Sequence, residues 1–271
     1  MPELPEVETI ARGLNQRIAG DLIESVWLGS KPEPLKSPAE KIASTLESSQ
    51  ISGVRRAGKH IVFDLKKNRA TAGVEAQWIV HLGMTGSLLV ASAESELQKH
   101  THAVLRLASG RELRFVDPRR FGRLSVIERF ATPGAEPLEI SFPQFALLFR
   151  GRKTPIKSAL LNQKLLSGVG NIYADEALFR AGIRPRRRAA SLATDKLRRL
   201  HSALRRVLRE AIRLGGSSIS DYVDSNGEEG FFQLKHRVYG REGEPCLVCR
   251  THIKRVVIAG RSSHYCPKCQ K

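Results

Sequence analysis

Cys246-Leu247-Val248-Cys249 and, after sixteen intervening residues, Cys266-Pro267-Lys268-Cys269 decide how the end of this chain folds. Each Cys-x-x-Cys knuckle aims two thiolates at one point, and two knuckles at this separation close a tetrahedron of four sulfurs around one Zn²⁺. A closed four-sulfur shell leaves no position for a substrate, so the expected metal is a single structural zinc. All four cysteines of the chain lie in these last 26 residues, and no secretory signal favours disulfides. Metal binding also explains how a tail with few large apolar residues can fold. Ile253 to His264, between the knuckles, predicts a hairpin turning at Ala259-Gly260, with Arg261 near its tip and Lys254 and Arg255 nearby.

Upstream of this tail the pattern is helical. Leu197, Leu200, Leu204, Val207, Leu208, Ala211 and Ile212 form one apolar stripe over Asp195 to Leu214, and Gly215-Gly216 stops it. Arg198, Arg199, Arg205, Arg206, Arg209 and Arg213 cover much of the remaining surface, as a solvated face or as DNA contacts. Leu165-Leu166-Ser167-Gly168-Val169-Gly170-Asn171-Ile172-Tyr173 places a Gly-rich turn before a helix. Such a turn exposes backbone N–H groups where the helix dipole favours an anion, although a Gly-rich turn between helices is more often a packing device.

The first half reads differently. Val7, Ile10, Leu14 and Ile18 recur on one helical face, and Gly20 can end that helix. Strand signals follow at Gly53 to Leu65, at Gln77 to Ala91 (broken by Gly83 and Gly86), around the Ser109-Gly110 hairpin and at Gly122 to Glu128. Lys66 to Glu75 reads as a lengthened hairpin. The turn-rich Ala131 to Glu139 marks a boundary. The expected class is α+β and multidomain: an N-terminal β-sandwich with a leading helix (1–130), a helical domain (131–240) and a zinc-finger hairpin (241–271).

The chain of 271 residues carries a formal net charge of +18, and it is lopsided. Residues 1–130 hold 19 Lys and Arg against 15 Asp and Glu, and residues 131–271 hold 26 against 12. Such an excess favours a polyanionic partner, because each cation that neutralises a phosphate releases a condensed counterion. No apolar run approaches the roughly 18 residues that span a bilayer. The expected location is the cytoplasm, and nothing calls for an obligate oligomer, so a monomer is expected.

The N-terminus, Met1-Pro2-Glu3-Leu4-Pro5-Glu6, permits a reaction. Proline is small enough for Met1 to be excised, which leaves a secondary amine. An α-amino group ionises near pH 8, so a useful fraction is nucleophilic at neutrality. Attack on an aldehyde-level carbon gives an iminium, an electron sink for elimination. Many proteins begin Met-Pro without such chemistry, so these two residues alone do not establish it.

Together these segments resemble a known family. Pro2 to Thr9, His81 to Gly86, Asp117 to Gly122, Gly168 to Ala174, Val238 to Cys246 and Tyr265 to Lys271 are similar, in order, to blocks of the formamidopyrimidine-DNA glycosylases. Those bacterial enzymes remove 8-oxoguanine. The resemblance implies a helix–two-turns–helix motif in the helical domain and a zinc ligated by Cys246, Cys249, Cys266 and Cys269. It implies Pro2 as nucleophile, Glu3 as acid/base and Lys59 near the lesion. DNA contacts are implied at Met84, His100, Arg119, Phe121, Lys157, Asn171 and Arg261. Met84, Arg119 and Phe121 would fill the space left by an everted base, and Arg119 would read the orphaned cytosine. The partner is duplex DNA bearing oxidised bases or abasic sites, with nucleoid association in a bacterium. Two alternatives stay open: an endonuclease VIII-like enzyme for oxidised pyrimidines, which usually has glycine where this chain has Leu4, and a non-catalytic zinc-ribbon nucleic-acid-binding protein.

Overall fold

The computed structural model describes residues 1–67, 75–218 and 222–271. The hairpin read at 66–75 therefore lies largely outside the described residues. The described chain clusters into two compact units, Met1–Ala131 with Gly215–Gly230, and Thr132–Leu214 with Phe231–Lys271.

In the first unit, α1 (Leu4–Ile18) begins with Pro5 in its first turn, where the missing N–H is no loss. Glu3 caps it, and the Glu3 N–H donates to Glu6 Oε2 at 2.8 Å. Val7, Ile10, Leu14 and Ile18 are buried to 1% exposure or less, as their spacing demands. Burial of each contributes roughly 1.5–3 kcal/mol. After β1 (Ile23–Leu28) and α2 (Ala39–Leu46) come β2 (Gln50–Ala57), β3 (His60–Lys66), β4 (Ala76–His81) and β5 (Ser87–Ser92). β6 (Thr101–Leu107), β7 (Arg111–Val116) and β8 (Arg123–Ile127) complete the strands. They form two antiparallel four-stranded sheets, ordered β1-β6-β7-β5 and β2-β3-β4-β8. Both sheets and α1 feed one hydrophobic core, the expected sandwich with its leading helix. β1 and α2 escaped the sequence because each buries little: β1 sinks only Ile23 fully, and α2 only Ile42 and Leu46.

The second unit is helical. α3 (Phe142–Phe149), α4 (Ile156–Leu161), α5 (Asn171–Ala181) and the long α6 (Thr194–Arg213) precede the hairpin of β9 (Lys254–Ile258) and β10 (Arg261–Tyr265). Gly182 ends α5 in the left-handed region at φ 69°. The apolar stripe of α6 is buried from Leu197 to Ala211. The hairpin turns at Ala259 (φ 47°) and Gly260 (φ 73°), two positive-φ residues that match the twist of a tight hairpin. The chain end is clipped beneath α5: Gln270 Nε2 donates to Ile183 O at 2.8 Å, and the Lys271 N–H to Gly182 O at 3.0 Å.

Candidate functional site

The amino end of α1 is fixed by one carboxylate. Glu6 accepts the Glu3 N–H through Oε2, and through Oε1 it accepts the Ser217 N–H at 2.9 Å. Gly216 sits at φ 84°, and an added Cβ would lie 2.9 Å from the Glu6 side chain, so only glycine lets that segment approach. Tyr222 reinforces the contact by donating to Gly215 O at 2.9 Å. Pro2 and Glu3 are both buried at the head of this helix.

Lys59 is 8% exposed, in the two-residue turn between β2 and β3, where Gly58 takes the positive φ of 61°. Arg56 ties that turn to α1: it pairs with Glu8 at 2.7 Å and donates to Gly58 O at 3.3 Å. The nearby His60 and His81 rings lie 5.0 Å apart. Burial, then His60 and the cations Arg123 and Lys59, lower the His81 pKa to about 4. His81 is thus neutral at physiological pH, and its Nδ1 accepts the Gly83 N–H at 3.1 Å.

Met84, Arg119 and Phe121 stand exposed on two adjoining turns of the same unit. The Arg119 guanidinium lies 4.7 Å from the centroid of the Phe121 ring. Beside them an open cleft of about 560 Å³ is lined by Glu33, Lys36, Arg119, Arg120, Phe121 and Arg123. Lys36 and the arginines give it a cationic wall, partly offset by the Arg120–Glu33 ion pair at 2.8 Å. His100 is exposed at φ 69°, and its carbonyl accepts the Asp117 N–H.

In the second unit, Asn171 opens α5 directly after the Gly168-Val169-Gly170 turn. Gln163 braces that turn by accepting the Gly168 N–H at 2.9 Å and donating to Val169 O at 2.8 Å. Asn171 Oδ1 is buried with no hydrogen-bond partner among the described residues. The first-turn amides of α5 make this helix start suited to an anion.

Lys157 is not the phosphate contact its expected role requires. It is 0% exposed, its ammonium lies 2.7 Å from Asp175 Oδ1 and it donates to Ser262 O at 2.6 Å. Asp175 Oδ2 in turn accepts the His264 N–H at 2.8 Å. This buried pair fastens β10 to α5, and Arg261 stands exposed at the tip end of β10. Lys254 and Arg255 pair with Tyr265 and His264, at the opposite end of the hairpin from the tip. Glu176 was not anticipated either. Burial pushes its pKa up, while its Oε1 accepts three successive N–H groups, Arg237 to Tyr239, at 2.9–3.0 Å. Neither Asp175 nor Glu176 is distinguishable by sequence from a solvent-facing helical acid, because their partners lie far along the chain.

The four cysteine sulfurs lie within 4.8 Å of one another, with Cys246–Cys269 at 3.9 Å and Cys249–Cys266 at 3.4 Å. Tetrahedral zinc with Zn–S near 2.3 Å places sulfurs about 3.8 Å apart. The donor set fits one structural zinc at Cys246, Cys249, Cys266 and Cys269. Among the described residues no helix is long and apolar enough to cross a membrane.

Comparison with known proteins agrees along the chain. Residues 1–124 match the formamidopyrimidine-DNA glycosylase N-terminal domain, residues 133–223 its H2TH domain, and residues 243–271 the zinc finger found in FPG and IleRS. The formamidopyrimidine-DNA glycosylase of Solibacter usitatus is 47% identical, with both chains fully covered. A Lactococcus lactis FPG variant in complex with Fapy-dG-containing DNA superposes with a TM-score of 0.90 at 33% identity, covering all of both chains. A MutM in complex with DNA containing carbocyclic 8-oxo-G gives 0.89, also at 33% identity and full coverage. Matched over its whole length in sequence, fold and metal ligands, this chain belongs to the formamidopyrimidine-DNA glycosylase family.

Proposed function

We propose that this protein excises oxidised purines, 8-oxoguanine and formamidopyrimidines, from duplex DNA and then cleaves the strand at the resulting abasic site. The observation that carries the proposal is the head of α1. Pro2 directly precedes a buried Glu3, held by a capping interaction with Glu6 where any movement would cost hydrogen bonds. Pure binding has no use for a free proline amine in that position.

After removal of Met1, the Pro2 nitrogen attacks C1′ of the damaged nucleotide. The glycosidic C–N bond breaks, and the base departs with a proton. Glu3 delivers a proton to the sugar ring oxygen as the ring opens, giving an iminium that links Pro2 to the deoxyribose. Loss of a C2′ proton expels the 3′-phosphate, and a second elimination expels the 5′-phosphate. Lys59, a compact cation on a braced turn, steadies the phosphate beside the lesion. Asn171 and Arg261 hold the phosphates that flank it. Met84, Arg119 and Phe121 enter the space left by the everted base and offset the few kcal/mol that unstacking takes. His100 contributes a peripheral backbone contact, and Lys157 acts indirectly by securing β10. The zinc shapes the hairpin and takes no part in the chemistry. The protein works as a monomer in the bacterial cytoplasm, on nucleoid DNA.

A cleavage panel tests this. Duplexes carrying 8-oxoguanine or formamidopyrimidine opposite cytosine are cut faster than those carrying thymine glycol. Preference for thymine glycol would assign an endonuclease VIII-like specificity, and tight binding without cleavage would leave a binding protein.

A further inference from the structure

Asp117 is 0% exposed, and no ion pair meets it among the described residues. Its charge is held by hydrogen bonds instead. Oδ1 accepts from Thr85 Oγ1 at 2.6 Å and from the Arg119 N–H at 3.3 Å, while Oδ2 accepts the Gly122 N–H at 2.7 Å. Its carbonyl accepts from Arg120 N at 3.2 Å and contacts His102 Nε2 at 2.9 Å. Thr85 follows Met84, and Arg119 and Gly122 bracket Phe121, so one carboxylate spans both turns that carry the exposed side chains. The backbones also touch: a Cβ on Gly83 would fall 2.5 Å from the Phe121 carbonyl carbon.

We propose that Asp117 and Thr85 are a positioning pair that couples the Met84 turn to the Arg119–Phe121 turn, so that the three side chains enter the DNA as one rigid unit. This rests on the void-filling role assigned to them above. A buried carboxylate is suited to the task because its bonds to donors are strong and directional, and a backbone shift of either turn strains a hydrogen bond that ties it to the other. The consequence is specificity. Arg119 meets the orphaned base in one fixed pose, so preference for cytosine depends on a bond made 34 residues away, at Thr85.

Thr85→Val removes the bridging hydroxyl while keeping the side-chain shape, and Thr85→Ser retains the hydroxyl. Single-turnover excision of 8-oxoguanine is measured opposite cytosine and opposite adenine, beside cleavage of a preformed abasic site, which has no base to evict. Thr85→Val is expected to slow excision opposite cytosine about tenfold and to shrink the cytosine-over-adenine preference. Abasic-site cleavage and zinc content stay within about twofold, and Thr85→Ser restores both rate and preference. In an Arg119→Ala background, Thr85→Val leaves the cytosine-over-adenine preference unchanged, because it acts on that preference through the pose of this side chain. Wild-type behaviour of Thr85→Val, equal loss with Thr85→Ser, equal loss on the abasic site, or a further change of preference in the Arg119→Ala background each overturns the coupling. Phe121→Ala separates the levels. If it slows excision while Thr85→Val does not, the coupling alone fails; if it too excises at the wild-type rate, the void-filling role fails and the coupling falls with it.

Discussion

Replacing Lys157 by methionine should loosen the hairpin that carries Arg261. The Lys157 ammonium is buried between Asp175 Oδ1 at 2.7 Å and Ser262 O at 2.6 Å, and Asp175 itself is 0% exposed. Methionine keeps most of the stem volume but leaves the carboxylate facing the His264 N–H and ring without the ammonium. Breaking one side of such a buried pair costs about 3–5 kcal/mol, because the remaining charge is desolvated and uncompensated. Asp175→Asn alone should cost a similar amount by stranding the ammonium. The double variant removes both charges, and asparagine can still accept the His264 N–H, so its cost should fall to about 1 kcal/mol. The cycle therefore predicts a coupling of several kcal/mol between positions 157 and 175. Guanidinium unfolding followed by zinc release to a chelating dye reads the affected unit directly. The single variants should also lose more DNA affinity than rate on bound DNA, since β10 is displaced and the head of α1 is not. Single variants each within about 0.5 kcal/mol of wild type, with an additive double, would refute the assignment.

Other outcomes follow from the same geometry. Cys249→Ser should abolish DNA binding while the β-rich unit keeps its circular-dichroism signature; full binding would show that the metal is dispensable. Glu6→Gln puts an amide N–H against either the Glu3 or the Ser217 N–H, and should lower stability by about 3 kcal/mol, read by thermal unfolding. The lowered pKa of His81, about 4 against 6.5 in the unfolded chain, means the folded protein resists its protonation. Its contribution is complete above pH 6.5 and is lost as pH falls toward 4, and an NMR titration should find His81 neutral at pH 6. The logarithm of DNA affinity should fall steeply with the logarithm of salt, by about 0.9 per phosphate neutralised, and a flat response would contradict the cationic contacts.

Local physics explains what the sequence disclosed. The apolar face of α1, the stripe of α6 and the two cysteine knuckles each state their structure within a few turns of chain, and the Ala259-Gly260 reversal needs only two positive-φ residues. What stayed hidden depends on distant partners. Asp117 looks like a turn acid until Thr85 is brought to 2.6 Å, and Lys157 looks like a surface cation until Asp175 and Ser262 enclose it. Gly215-Gly216 could be read as a helix stop, but not as the place where the chain joins the first unit beneath Glu6. Met84 and Phe121 carry no mark of their own, since an exposed apolar residue in a turn has no periodic signature.

The identity of the nucleophile can be measured directly. The protein is incubated with a duplex containing 8-oxoguanine opposite cytosine, reduced with borohydride, digested and mapped by mass spectrometry. The account predicts a deoxyribose remnant on the nitrogen of an N-terminal peptide that starts at Pro2, with Met1 gone. A remnant on the Lys59 side chain, or strand cleavage by protein that still carries Met1, would contradict it.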